Sequence, residues 1–213
     1  MRLKDVIDIL PALVRADCGP RSRRPLGFNN APKASATSNL PKPFPHLPII
    51  MARSPNNIIE RARTAQDLQD ARSLFSAYAK WLKIDLEFQG FAEELDSLPG
   101  KYSPPQGEIL LARNDNGHIV GCVAVRPLVS DERLCEMKRL YVLSEGRHLG
   151  IGIHLVRTIL DVATDLGYRE MRLDTLSSMH QAIALYEKIG FQPIDPYYPT
   201  PLSNTLFFAK KLS

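Results

Sequence analysis

The stretch KRLYVLSEGRHLGIGIHLVRTIL runs from a strand-like segment through a short loop into a long amphipathic one, with Arg147, Gly150 and Gly152 at its centre. Glycines at this spacing let the main chain approach a ligand closely. Successive amides at a helix start aim several donors, and the positive end of the helix dipole, at one anion. Arg147 adds a full charge, so the chemistry predicted is the binding of a phosphate or diphosphate. A plain strand-to-helix connection, its glycines relieving crowding, fits the same local pattern. The stretch is not a Walker A loop, because G-x-x-x-x-G-K-[ST] is absent, and it lacks the G-x-G-x-x-G order of a dinucleotide site.

Other chemistry-bearing residues exclude more than they suggest. His118, His148, His154 and His180 show no H-E-x-x-H spacing, so no metal site is expected. Cys18, Cys122 and Cys135 contain no C-x-x-C pair, and an odd number cannot close into a full disulfide set. That usage predicts a reducing compartment, the cytoplasm.

The elements around the loop follow from periodicity. IIERA after Asn57 reads as a strand, and Thr64 with Asp67 reads as a capping box opening a helix whose buried face is Leu68, Ala71, Phe75, Tyr78 and Leu82. A second helix is predicted over Phe91–Leu98. EILLAR and HIVGCVAVRPL form a hairpin around an Asn-Gly turn. CEMKRLYV is the next strand, followed by a helix from Gly150 to Leu166 that places Ile151, Leu155, Ile159, Val162 and Leu166 inward and Arg157, Asp161 and Asp165 in water. MRLDT, SMHQAIALYEKI and TLFFAKK then read as strand, helix and strand. The order implies an α/β domain with a mixed sheet and helices on both faces.

Residues 1–55 differ in kind. They hold nine of the 17 prolines, and nine Lys and Arg against three Asp. Of the chain's 27 basic and 23 acidic residues, 18 and 20 then remain for residues 56–213, giving +6 for the leader and −2 for the rest. The expectation is a disordered basic leader over 1–55 and one folded domain over 56–213. The mildly acidic domain predicts no nucleic-acid partner. The longest apolar run, Ile119–Val125, falls far short of the roughly 20 residues of a membrane span, so no membrane partner is expected. Asp5, Asp8 and Pro11 count against an organellar presequence in the first residues, leaving import an alternative not favoured, and Met51 is an alternative translation start.

Several of these segments together resemble the GNAT superfamily of acetyl-CoA-dependent N-acetyltransferases. Arg147-x-x-Gly150-x-Gly152 resembles its acyl-CoA loop, CEMKRLYV its preceding strand, RLDT its following strand, and AIALYEKIGF its A-x-x-L-Y-x-x-x-G-F signature, in order from Ile58 to Leu212. The resemblance implies a mostly antiparallel sheet of six to seven strands, with two central strands splayed to admit the pantetheine arm. It implies that the backbone of Leu140, Tyr141 and Val142 bonds that arm, and that Arg147, His148, Leu149, Gly150, Ile151 and Gly152 bind the diphosphate. Acetyl-CoA is the implied cosubstrate.

Acyl transfer to an amine needs a proton acceptor, because a side-chain-like amine with a pKa near 10.4 is only about one part in 2,500 unprotonated at pH 7. Glu136 stands where many family members place a catalytic glutamate, acting directly or through a water. An ordinary strand glutamate paired with Lys138 or Arg139 is the other reading of it. Tyr186 stands at the family's general-acid tyrosine, beside the cofactor sulfur, or else simply packs with Ala182 and Ile189. An amide near Tyr141 or Val142 is expected to polarise the thioester. Cys135 is expected in the core. Glu87, Gln89, Tyr197 and Tyr198 border the implied acceptor cleft, for a small-molecule or peptide amine. A homodimer stays open. A CoA-binding regulatory or scaffold module without turnover is the competing class.

Overall fold

The computed structural model describes residues 50–54, 57–128 and 131–213. Its strands are β1 (Ile50–Ser54), β2 (Asn57–Arg61), β3 (Glu108–Arg113), β4 (Ile119–Pro127), β5 (Leu134–Val142), β6 (Glu170–Leu176), β7 (Gln192–Ile194) and β8 (Thr205–Lys211). They form one sheet in the order β1-β2-β3-β4-β5-β6-β8-β7, antiparallel everywhere except between β5 and β6. The mixed, mostly antiparallel architecture expected from the sequence is the one observed. β1 is an edge strand beyond the six to seven expected, and it lies on the leader side of the boundary drawn at residue 55. Residues 1–49 of that leader lie outside the described residues.

Among the described residues four helices cover the sheet: α1 (Ala65–Leu82), α2 (Phe91–Asp96), α3 (Ile151–Asp165) and α4 (His180–Ile189). The start of α1 is fixed by the predicted capping box. Thr64 Oγ1 accepts from Asp67 N–H at 3.1 Å, and Asp67 Oδ2 accepts from Thr64 N–H at 2.9 Å. Arg113 ties this first turn to the sheet, donating to Asp67 and Asp70 and pairing with Glu60 on β2. α3 is the most apolar helix, and Ile151, Leu155, Ile159 and Val162 enter the core as their spacing predicts.

Two cores result, one on each sheet face. Under α3 and α4 pack Leu110, Val123, Val125, Cys135, Met137, Leu173 and Phe208; under α1 and α2 pack Leu74, Phe75, Tyr102, Ile109, Leu111 and Cys122. Alternation along β5 therefore turns Cys135 and Met137 toward α3, and Glu136 and Lys138 toward α1.

A bulge then breaks the alternation. Tyr141 pairs with Cys122 and Lys138 with Ala124, so Arg139 and Leu140 together oppose Val123 alone. Arg139 adopts φ +59°, a left-handed conformation that a long side chain seldom takes. Its guanidinium is anchored to Glu94 of α2, with Nε to Oε1 at 2.7 Å and Nη2 to Oε2 at 3.1 Å, and lies 4.9 Å from the centre of the Phe91 ring. Lys138 and Arg139 consequently sit side by side on the α1 face.

Candidate active site

The parallel partners β5 and β6 stay paired only at Leu134↔Glu170, Cys135↔Met171 and Glu136↔Arg172. Beyond these three pairs the strands separate, which frees the β6-facing edge of Leu140–Val142. On its other side this segment remains paired to β4, through Gly121↔Val142 and Cys122↔Tyr141.

A cleft of about 360 Å³ opens beside that edge, lined by Trp81, Leu140, Tyr141, Val142, Arg147, Gly152 and the segment from Ser178 to Ala182 that leads into α4. Tyr141 lies against Tyr78 and Trp81, with ring centres 5.8 and 6.1 Å apart. Arg147 Nε donates to Val142 O at 3.2 Å, and its guanidinium lies 5.5 Å from the centre of the Trp81 ring. Arg147 thus sits at the cleft with its charge unneutralised by any carboxylate among the described residues.

The loop amides divide into two sets. Leu143 N–H donates to Val120 O at 2.9 Å and Arg147 N–H to Ser144 O at 3.3 Å, so the backbone of Arg147 is already used. His154 N–H is bonded to Gly150 O at 3.2 Å. The preceding amides of Ile151, Gly152 and Ile153 belong to the first helical turn, where no intrahelical carbonyl reaches them. These amides and the Arg147 guanidinium form a donor-rich surface of the kind that suits an anion. Gly150, at φ +75°, turns the chain into the helix, and a Cβ on Gly152 would stand at ordinary contact distance from Leu185 and Val142, 3.7 and 3.9 Å. The Ile151 side chain is core, and His148, Leu149 and Gly150 lie outside the cleft lining. Sequence reasoning overlooked Gly146. A Cβ there would stand 3.0 Å from Val142 and 3.2 Å from Ile151 and Val120, so Gly146 lets the loop close against the sheet.

A second, smaller cavity of about 80 Å³ occupies the gap between β5 and β6. It meets the cleft at Leu140, Met179 and Ala182, which line both. Tyr186 lines it from α4, packed against Phe191 and Phe208. Burial pushes the Tyr186 hydroxyl well above the ordinary tyrosine range, so the group stays protonated at neutral pH.

Two carboxylates stand near this gap and differ in what they can do. Asp174, on the α1 face of β6, lines the cavity, with Oδ1 accepting from Lys138 Nζ at 2.6 Å. Burial alone would raise its pKa; Lys138, together with a hydrogen bond from Tyr198 and the charge of Arg139, outweighs burial and holds it below the usual carboxylate value. Glu136 is only 1% exposed and lies behind the cavity wall. Its Oε2 accepts from Arg126 Nε at 2.8 Å and its Oε1 from the Tyr197 hydroxyl at 2.7 Å. Of the acceptor-side candidates, Gln89 and Tyr198 line the cavity, whereas Tyr197 is spent on Glu136 and Glu87 is elsewhere on the surface. Asp174 and Lys138 were missed as site residues. The signal was present: two charged side chains, Arg172 and Asp174, alternate with the apolar face of an interior strand.

A sheet parted between β5 and β6, with an amide-rich helix start beside the parting, is the arrangement set against known proteins. Residues 69–191 match the Acetyltransferase (GNAT) family, and the chain belongs to that family. It is 41% identical over 160 residues to an uncharacterised N-acetyltransferase of Schizosaccharomyces pombe, covering 75% of this chain and 98% of the relative. It is 31% identical to another such protein of Dictyostelium discoideum, covering 72% and 98%. An acetyltransferase of the GNAT family from Staphylococcus aureus superposes with a TM-score of 0.61 over 74% of this chain and 99% of that one. At 21% identity, this speaks to the fold alone.

Proposed function

We propose that the protein transfers an acetyl group from acetyl-CoA directly to a primary amine of a small molecule or peptide, both substrates being bound at once. The observation that carries this reading is the junction at Leu140, Met179 and Ala182, where a cleft able to take a slim arm meets a smaller cavity lined by both apolar and charged side chains. The free edge of Leu140–Val142 would bond the arm as a neighbouring strand would. Arg147 and the amides of Ile151, Gly152 and Ile153 would hold the diphosphate.

The step forms a bond from the amine nitrogen to the acetyl carbon and breaks the carbon–sulfur bond. The amine gives up a proton and the departing sulfur takes one. Asp174 is the carboxylate placed to receive the amine: it faces the cavity and stays ionised at neutral pH, so it attracts the ammonium form and accepts its proton as the new bond develops. Tyr186, held neutral by burial, is placed to donate toward the sulfur. Glu136, the glutamate expected from the sequence as the base, supports this arrangement from behind by fixing Tyr197 and Arg126 beside Lys138, 3.8 Å away. The cysteine usage supports residence in the cytoplasm.

Calorimetry with acetyl-CoA, joined to a thiol-release assay over a panel of amines, tests the reading. Saturable binding with amine-dependent CoA release is expected. Binding without release across a broad panel would leave a CoA-binding module instead.

A further inference from the structure

The small cavity has a composition that restricts its occupant. Its wall toward α1 is apolar, built from Tyr78, Leu82, Ile84, Leu86 and Phe88. The charged side chains lining it are already committed: Lys138 to Asp174, and Arg139 to Glu94. A second ammonium on the acceptor would find no free carboxylate there, and a carboxylate would find no free cation. Either would be desolvated without compensation.

Two further polar side chains, Gln89 and Tyr198, line the cavity. Gln89 Oε1 is buried and has no hydrogen-bond partner among the described residues. Burial raises the Tyr198 pKa first, and the neighbouring Asp174 carboxylate, through its charge and a hydrogen bond, raises it further. A buried acceptor left unbonded is costly to a fold that gains nothing from it, and a ligand N–H would satisfy Gln89 Oε1 and a remaining lone pair of the Tyr198 oxygen. Phe88, although large and apolar, is 40% exposed, so the apolar lining continues outward to solvent.

We propose that the acceptor is a primary amine carried on an uncharged apolar skeleton, an arylalkylamine or alkylamine, with Gln89 and Tyr198 setting that specificity. The inference rests on the acetyl-transfer reading. The amine nitrogen enters toward Asp174 with its N–H groups shared among Asp174, Gln89 and Tyr198, and the skeleton lies along Leu82, Ile84 and Phe88. The committed charges exclude dibasic amines and amino acids.

Phenethylamine, hexylamine, spermidine, glycine and trialanine, each with saturating acetyl-CoA, form the test. The expected result is a kcat/KM for phenethylamine and hexylamine at least about tenfold above the other three. Gln89→Leu and Tyr198→Phe should each lower kcat/KM for phenethylamine several-fold, with the loss carried by KM. Unaltered thermal melting and acetyl-CoA affinity would establish that these variants fold. Preference for spermidine, glycine or trialanine, or an unchanged KM in both variants, overturns the proposal while the transferase reading stands. Acetyl-CoA bound without release to either apolar amine overturns it also. Failure to bind acetyl-CoA at all removes the transferase reading and the inference together.

Discussion

Lys138 Nζ and Asp174 Oδ1 stand 2.6 Å apart across the gap where β5 and β6 have stopped pairing. Two residues earlier, Glu136 and Arg172 still face each other in the parallel register. The side-chain bridge therefore replaces the backbone ladder at the first position on this face of the sheet beyond the last ladder pair. It ties the strands together at the floor of the gap while leaving the gap open above. It also sets the charge state of the one carboxylate lining the cavity.

Removing the lysine should expose that control. In Lys138→Met, burial of Asp174 is opposed only by the Tyr198 hydrogen bond and the charge of Arg139, so its pKa rises. A carboxylate that must be ionised to work loses activity as pH falls through its pKa. The acid limb of kcat/KM should therefore move to higher pH. A pH–rate profile of the variant beside the parent measures this directly, and coincident acid limbs would remove Asp174 from the step.

Asp174→Asn and Glu136→Gln separate the two carboxylates. Asp174→Asn should lower kcat by about 100-fold with acetyl-CoA affinity little changed, the scale of a lost proton acceptor. Glu136→Gln should cost less in kcat and more in thermal stability, since it weakens the partner of half-buried Arg126 and the acceptor of Tyr197. The reverse ranking, measured by steady-state kinetics and melting, would return the proton-accepting role to Glu136.

Tyr186→Phe keeps the ring that packs on Phe191 and Phe208 and deletes only the hydroxyl. Turnover should fall by about 100-fold while acetyl-CoA binding and stability remain near those of the parent. Unchanged turnover would make Tyr186 a packing residue.

How far the sequence disclosed this arrangement depended on the range of each interaction. α1 was legible because Thr64 and Asp67 write its start within one turn, and α3 because its apolar stripe repeats without interruption. The bulge was not, since φ at Arg139 is held by Glu94, 45 residues away in the chain. Strand parity places Glu136 and Asp174 on the α1 face equally. It cannot reveal that Arg126 and Tyr197 close over one, or that Lys138, 36 residues distant, presents the other to the cavity. β1, among prolines, and β7, three residues long, offer too little periodicity to read.

Gly150→Glu addresses the anion loop. Gly150 has φ +75°, and a Cβ there would meet nothing closer than Ile153 at 4.0 Å, so space is not the obstacle. Backbone strain and a negative charge beside the open amides are. Acetyl-CoA affinity should fall by roughly tenfold or more, whereas Gly150→Ala, which carries the strain without the charge, should lose much less. Isothermal calorimetry on the pair decides it, and an undiminished affinity in Gly150→Glu would place the diphosphate elsewhere.

The Glu94–Arg139 pair makes a prediction about stability rather than rate. Both side chains are 3% exposed, so Glu94→Ala leaves a buried guanidinium without its carboxylate and should cost about 3 to 5 kcal/mol in urea unfolding. Burial pushes the Glu94 carboxyl up, and Arg139 overrides it to hold the pKa below the ordinary 4.5. A depressed carboxylate contributes stability that is complete above its unfolded value and is lost as pH falls from there through the folded one. The parent should therefore weaken in acid more steeply than Glu94→Ala, and the two stability curves should converge as pH falls through the folded Glu94 value, below the ordinary 4.5. Parallel curves would mean that the bulge at Arg139 is held by packing against Phe91 rather than by charge.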